Sequence, residues 1–428
     1  MKRMIYLSWL IVVLLSACQK DDNDPAPGER PDERLTQKLS TYKAQLVGAE
    51  NGWKAILYPE GGAGYSFLFD FTEDDRVRMY SDISAGTAAE SLQSTYRVKG
   101  QQQPTLLFDT YSYLHILADP DETKSGGVRG EGKFSDFEFT FDSVSADSVV
   151  LTGIQKGSRL ILVRATPDEA ANYISRTAEQ VSALENINAF TTYFKRLTIG
   201  NRSYDISIQT DVRYITFSYY DGGVLKSFST SYFFNENGLV LLEPFNDAGF
   251  TITSLNALEY DATDGDIDFN VNNVAGRIQE STRPATIDPQ AARTFYNNPP
   301  NGTYWLSLGF TIEGVEDALK LSSIPDFSVL VYWPKQGTSD GITYDLMGFA
   351  FGNSILYGPT AVPTFTNDGR IIYSRLGALG EVPEQDAPIM EAFAQQWTDP
   401  EGYYVVQTGP QSYDLVSAKD AKTWISFQ

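Results

Sequence analysis

Short runs in which aromatic or β-branched residues alternate with polar ones, broken by glycine, asparagine or aspartate, recur along most of this chain. "GYSFLFDF" at 64–71, "SVVLTGIQKGSRLILVRA" at 148–165, "RYITFSYYDGGVLKSF" at 213–228 and "GYYVVQTGPQSYDLVSA" at 402–418 are of this kind. Successive side chains of a strand point to opposite faces, so alternation predicts strands and the turn residues between them predict hairpins. In the third run, Asp221-Gly222-Gly223 allows the positive backbone angles of a tight reversal. Such closely spaced strands predict a mainly β fold: tandem β-barrel or β-sandwich-like domains with a few packing helices.

Four stretches carry the helical period instead. Leu35, Leu39, Tyr42 and Leu46 form one stripe of a helix over about 32–49, placed to pack on the sheet that follows. Thr166-Pro167-Asp168-Glu169 joins a capping threonine to a first-turn proline and opens a second helix that runs, with breaks, toward Leu197. A short third helix opens at Asp288-Pro289 and carries Ala292 and Phe295. A fourth spans 383–397, with Ile389, Phe393 and Trp397 on one face. These helices divide the body into a helix plus β-sheet domain (35–166), a second helix plus β domain (167–284) and a C-terminal β-rich domain with one helix (285–428). The second block reads as a possible repeat of the first. "GYSFLFDFTEDDRVRMY" and "RYITFSYYDGGVLKSF" align on Tyr65 and Tyr214, and "STYRVKGQQQPTLLFDTY" runs loosely parallel to "STSYFFNENGLVLLEPF".

The amino-terminal segment is of another kind. Lys2 and Arg3 precede an apolar run from Ile5 to Leu15, and the small residues Ser16 and Ala17 lead to Cys18, the only cysteine. This predicts a signal peptide over 1–17, since the run falls short of the roughly 20 apolar residues a bilayer span requires. Leu15-Ser16-Ala17-Cys18 resembles the bacterial lipobox, in which the cysteine is lipidated and becomes the new amino terminus. Several acyl chains together give a stable membrane anchor. Gln19-Lys20-Asp21-Asp22 resembles the export signal that directs Bacteroidetes lipoproteins to the outer face of the outer membrane. Residues 18–34, rich in Asp, Glu and Pro, read as an acidic flexible tether.

Length and charge narrow the rest. The 428 residues suit two or three domains. A net charge of −22, with basic residues scattered singly or in pairs such as Lys195-Arg196, provides no stripe for nucleic acid. With Cys18 acylated, no thiol remains for a disulfide, a nucleophile or a zinc site. The single histidine, His115, lies in "YSYLHILADP", which reads as a strand. It is expected as a packed or hydrogen-bonded residue, because no Gly-x-Ser-x-Gly turn supplies a nucleophile for it. Nothing implies a cofactor.

Candidate binding residues come from the 25 Tyr, 25 Phe and 6 Trp, since exposed aromatics can stack on sugars or anchor protein interfaces. Trp333 before Pro334, Tyr357 in "LYGPTAVP", and Tyr111 and Tyr113 in "DTYSYLH" sit beside turn residues and are the candidates for exposure. "YDATDGDIDFN" gathers Asp261, Asp264, Asp266 and Asp268 around Gly265. Asp264, Asp266 and Asp268 would be the Ca²⁺ ligands of such a loop, but it lacks the EF-hand order and reads first as a solvated turn without metal. Glycoside hydrolysis needs two carboxylates about 5 to 9 Å apart. Among 55 acidic residues the sequence singles out no pair.

Residues 42–82, "YKAQLVGAENGWKAILYPEGGAGYSFLFDFTEDDRVRMYSD", followed by "PTLLFDTYSYLHILADP" at 104–120, resemble an uncharacterised family of Bacteroidetes lipoproteins known only as a domain of unknown function. The resemblance is densest from the first helix to about residue 165. Members are typically encoded beside outer-membrane importers resembling the SusC and SusD pair. The resemblance therefore implies a non-enzymatic, surface-exposed accessory lipoprotein that captures an extracellular glycan, peptide or protein with such an importer. It brings no site residues. The alternatives are a structural or adhesive surface protein and a carboxylate-dependent hydrolase.

Overall fold

The computed structural model describes residues 30–221 and 224–428. Cys18, residues 19–22, and Gly222 and Gly223 of the predicted reversal lie outside the described residues. The fold is mainly β, as the alternation predicts: two closed antiparallel barrels of eight strands each, followed by a nine-stranded sheet.

The first barrel runs in simple up-and-down order from Trp53–Tyr58 to Arg159–Arg164, and the last strand closes on the first with Lys54 opposite Val163. The inward positions are large: Phe67, Phe69, Phe71, Tyr96, Phe108 and Phe139 are all buried, and Phe67 stacks on Phe69 at 5.3 Å. The second barrel repeats this order from Phe194–Ile199 to Val274–Ser281 and closes with Leu197 opposite Ile278. Tyr204, Phe217, Phe245 and Phe269 fill it, with Phe217 and Phe245 stacked at 4.6 Å. Side chains of this size occupy the interior of an eight-stranded barrel, so each core is packed.

The third sheet starts and ends on two short strands, Trp305–Ser307 and Phe310–Ile312. Reciprocal backbone hydrogen bonds of 2.9 and 3.1 Å between Leu306 and Gln428 bring its ends together. Counting the two short strands as one interrupted strand turns nine into eight, the strand number of each barrel. The circuit is thin elsewhere, because Arg370–Leu379 and Tyr403–Gly409 pair only at Arg370 with Tyr404 and Ile371 with Tyr403. The helix Ala387–Trp397 adds Phe393 and Trp397 to that core.

A helix precedes each unit: Pro31–Val47, Pro167–Glu185 and Ala291–Asn297. The first begins at Pro31, so residues 31–34 are its opening turn rather than the end of a tether; the Arg30 amide donates to the Glu33 carboxylate at 3.2 Å. Its stripe packs through the carboxy-terminal half, with Leu46 buried and Tyr42 against Phe141 at 4.5 Å, while Leu35 is exposed. In the second helix Thr166 and Glu169 cap one another, the Glu169 amide to Thr166 Oγ1 at 3.3 Å and the Thr166 amide to the Glu169 carboxylate at 2.8 Å. This helix stops at Glu185, and after the turn Asn186–Ala189 the expected continuation toward Leu197 is instead the strand Phe194–Ile199. Its neighbours on both sides supply a complete ladder, and that tertiary pairing decides its conformation. The third and fourth helices bury Ala292, Phe295, Phe393 and Trp397 as their stripes predict, and each begins a few residues late.

Two corrections concern motifs. "YSYLHILADP" contains the helical turn Tyr113–Ile116, not a strand, within an insertion between Pro104–Phe108 and Glu138–Val144 that also holds Glu122–Ser125. The proposed alignment of Tyr65 with Tyr214 is one strand out of step: Tyr65 opens the second strand of its barrel and Tyr214 the third of the other.

The units meet through different contacts. Between the barrels, Arg213 Nη1 lies 2.9 Å from Asp82 Oδ2 and 2.7 Å from the Gly64 carbonyl, and its guanidinium covers the Tyr65 ring at 4.3 Å. Between the second barrel and the third sheet, the Tyr193 hydroxyl donates to Asp414 at 2.7 Å beside the buried cluster of Phe194, Val416 and Ala421.

Candidate functional site

The structure separates the four aromatic candidates. Tyr357 is not exposed: it is 2% accessible and its hydroxyl donates to Asp386 at 2.9 Å. "LYGPTAVP" is strand rather than turn, with Gly358 opposite Leu379 and Pro359 opposite Ala378. A Cβ at Gly358 would come within 2.1 Å of the Met347 carbonyl, so glycine here permits close strand approach. Trp333 is half-buried in the strand Phe327–Ser339, tilted against Tyr304 at 6.4 Å. Tyr113 is half-buried too, with its hydroxyl on the Glu90 carbonyl at 2.9 Å. Of the four, only Tyr111 is exposed, at 51%.

The acidic loop has an internal cation. Asp268 faces Arg277 across the sheet, and the guanidinium reaches Asp268 at 2.7 Å, Asp266 at 3.1 Å and Asp264 at 3.9 Å. The three carboxylates therefore converge on an arginine, and among the described residues no group of three or more His, Cys, Asp or Glu is placed to hold a metal ion.

Around Tyr111 a small site is built from the insertion of the first barrel. The Ser112 amide donates to His115 Nδ1 at 3.2 Å, and the Ser112 hydroxyl lies 2.9 Å from the same atom. A nitrogen that accepts an amide proton carries none itself, so the neutral ring bears its proton on Nε2. Burial holds His115 below its ordinary value. The imidazole serves as a rung: it stacks on Phe137 at 4.7 Å and beneath Tyr111 at 5.7 Å. The Tyr111 hydroxyl donates to Asp119 Oδ2 at 2.6 Å, and Asp119 Oδ1 accepts the Asp121 amide at 2.9 Å. Burial of the hydroxyl end, reinforced by the Asp119 charge, pushes Tyr111 up to about 12. The Tyr111 hydrogen bond in turn holds Asp119 below the usual carboxylate range. The outcome is a ring fixed at its hydroxyl and along one face, with the rest turned to solvent.

A second feature was not legible in the sequence. A cleft of about 710 Å³ lies beside the helix Pro167–Glu185, walled by Arg176, Glu179, Gln180, Glu236, Asn237 and Asn256 among others. Most of its charge is already matched, Arg176 by Asp168 at 2.7 Å and Glu236 by Lys54 at 3.6 Å. Gln180 Oε1 accepts the Leu258 amide at 2.7 Å, next to Ala257 in the left-handed region (φ 52°), where the strand bulges. Its walls come from residues up to 81 positions apart, 176 to 257, joined only when the helix packs on the strands that follow it.

Packed up-and-down antiparallel barrels with small insertions define the class: an all-antiparallel β architecture in which a helix precedes each unit. Residues 24–260 match the family described as a domain of unknown function (DUF4302), more than half of the chain, and the protein belongs to that family. The matched region ends within the strand Phe250–Asp261, before the last two strands of the second barrel. No curated protein matches. Among solved structures, the octameric penicillin-binding protein homologue from Pyrococcus abyssi is similar at 10% identity over 35% of this chain, with a TM-score of 0.15. The aligned part spans 37% of that protein.

Proposed function

We propose that this protein is an outer-membrane lipoprotein, anchored through Cys18 and displayed on the cell exterior, that assists a SusC/SusD-like importer by binding an extracellular nutrient without chemistry of its own. The observation that carries the proposal is the position of the sole cysteine, immediately after Leu15-Ser16-Ala17 and immediately before Gln19-Lys20-Asp21-Asp22. Barrel interiors filled with aromatic and branched side chains support a role exerted at the outer surface. The acidic surface fits a partner other than nucleic acid.

The test uses the tagged full-length chain in its native cells, with affinity recovery and surface protease accessibility read in the same sample. Protease sensitivity together with recovery of an importer is expected, and Cys18→Ser should move the protein out of the membrane fraction. A membrane-bound protein that is protected from protease and recovers no importer overturns the proposal.

A further inference from the structure

We propose that the exposed face of Tyr111 is a stacking platform for one pyranose ring of a neutral oligosaccharide. This rests on the accessory-binding reading and names its ligand class. A tyrosine face attracts flat surfaces rich in C–H groups, and the gain is largest when the ring need not be ordered on binding. Tyr111 meets that condition: Asp119 holds its hydroxyl at 2.6 Å, His115 supports one face at 5.7 Å, and Phe137 supports His115 at 4.7 Å.

The surroundings select the ligand. The chain neighbours Asp109 and Thr110 are polar and exposed, Asp109 paired with Arg97 at 2.6 Å and Thr110 with Thr95 at 2.7 Å. Asp121, also exposed, and Lys124, 3.9 Å from Asp119, extend the polar rim. Hydroxyl-rich ligands can use such donors and acceptors, whereas a protein interface centres on contiguous apolar surface. Anionic ligands are disfavoured by the net charge of −22. What remains is a neutral ring compound bearing hydroxyls.

The experiment is a calorimetric titration of the full-length lipidated protein in detergent micelles with malto-, cello-, laminari-, xylo- and mannohexaose. At least one hexaose is expected to bind, Tyr111→Ala to weaken it by about tenfold or more, and Tyr111→Phe, which keeps the face, to stay within about threefold. Both variants lose the hydroxyl bond to Asp119, so their difference reads the ring face alone, and a cooperative melting transition of the alanine variant shows that it is folded. A hexaose that binds Tyr111→Ala as tightly as the parent refutes the platform, and no binding by any hexaose at millimolar concentration refutes the ligand class. Either result can coexist with importer recovery from cells, so the two readings fail separately.

Discussion

Asp82 and Asp345 are two carboxylates withdrawn from water, 2% and 0% accessible, and the protein has met their charge in different ways. Asp82, between the two barrels, has a guanidinium 2.9 Å away and accepts the Ser66 amide at 2.8 Å on its other oxygen. Burial raises its carboxyl above the ordinary value, Arg213 opposes that rise, and both oxygens accept hydrogen bonds. Asp345, in the third unit, is held by neutral donors: the Tyr332 hydroxyl at 2.8 Å, the Tyr296 hydroxyl at 3.3 Å and the Lys335 amide at 2.8 Å. Lys335 commits its ammonium to Asn297 at 2.7 Å and contributes only a minor charge effect at Asp345. A unit boundary is thus specified by an ion pair, and a core position by a hydrogen-bonded acid that can be discharged.

The largest effect is expected at the boundary. Asp82→Ala would leave Arg213 buried without its counterion and should cost about 3–5 kcal/mol in chemical denaturation. The double variant Asp82→Leu with Arg213→Met removes both charges and should recover most of that loss. If the single and double variants are equally damaging, shape at the junction matters more than charge. Ser66 remains a separate tie, since its hydroxyl donates to the Phe234 carbonyl at 2.6 Å.

The second expectation is a pH dependence carried by Asp345. Burial raises its value from 3.8 to about 6, so the folded state holds this proton more tightly than the unfolded chain does. The associated stability is fully present below about pH 3.8 and is lost as pH rises through about 6, by roughly 3 kcal/mol at most. Asp345→Asn should flatten that limb of the stability profile and be at least as stable as the parent at pH 7. A limb that survives in the variant assigns the titration to another group.

How much of this was legible in the sequence follows the range of the interactions. The Thr166 to Glu169 cap and the alternating runs depend on residues a few positions apart, and they appear where the pattern places them. His115 shows a local failure: aromatic and branched neighbours suggested a strand, but the Ser112 contacts to its imidazole close a helical turn. Tyr357 failed because glycine and proline usually mark turns, whereas here they lie within a paired strand. The Asp82 to Arg213 pair spans 131 positions and the cleft walls 81, separations at which no period or motif operates. Tyr111 is exposed beside turn residues, and its support by His115 and Asp119 depends on the fold of the whole insertion.

The smallest effect sharpens the contrast from the side of the neutral donors. Tyr296 is half-buried, and its 3.3 Å bond to Asp345 is the longest of that carboxylate's three hydrogen bonds. Tyr296→Phe should therefore cost only about 1 kcal/mol above pH 6, where the carboxylate is charged, and little below pH 4, where it is not. Because the lost donor favours the charged form, the midpoint of the pH-dependent limb should also move upward. Equal destabilisation at both pH values would mean that Tyr296 acts through its ring, which packs on Phe365 at 5.1 Å, and not through its hydroxyl. No such pH split is expected from Tyr65→Phe at the barrel boundary, where the ring already lies against a permanently charged guanidinium.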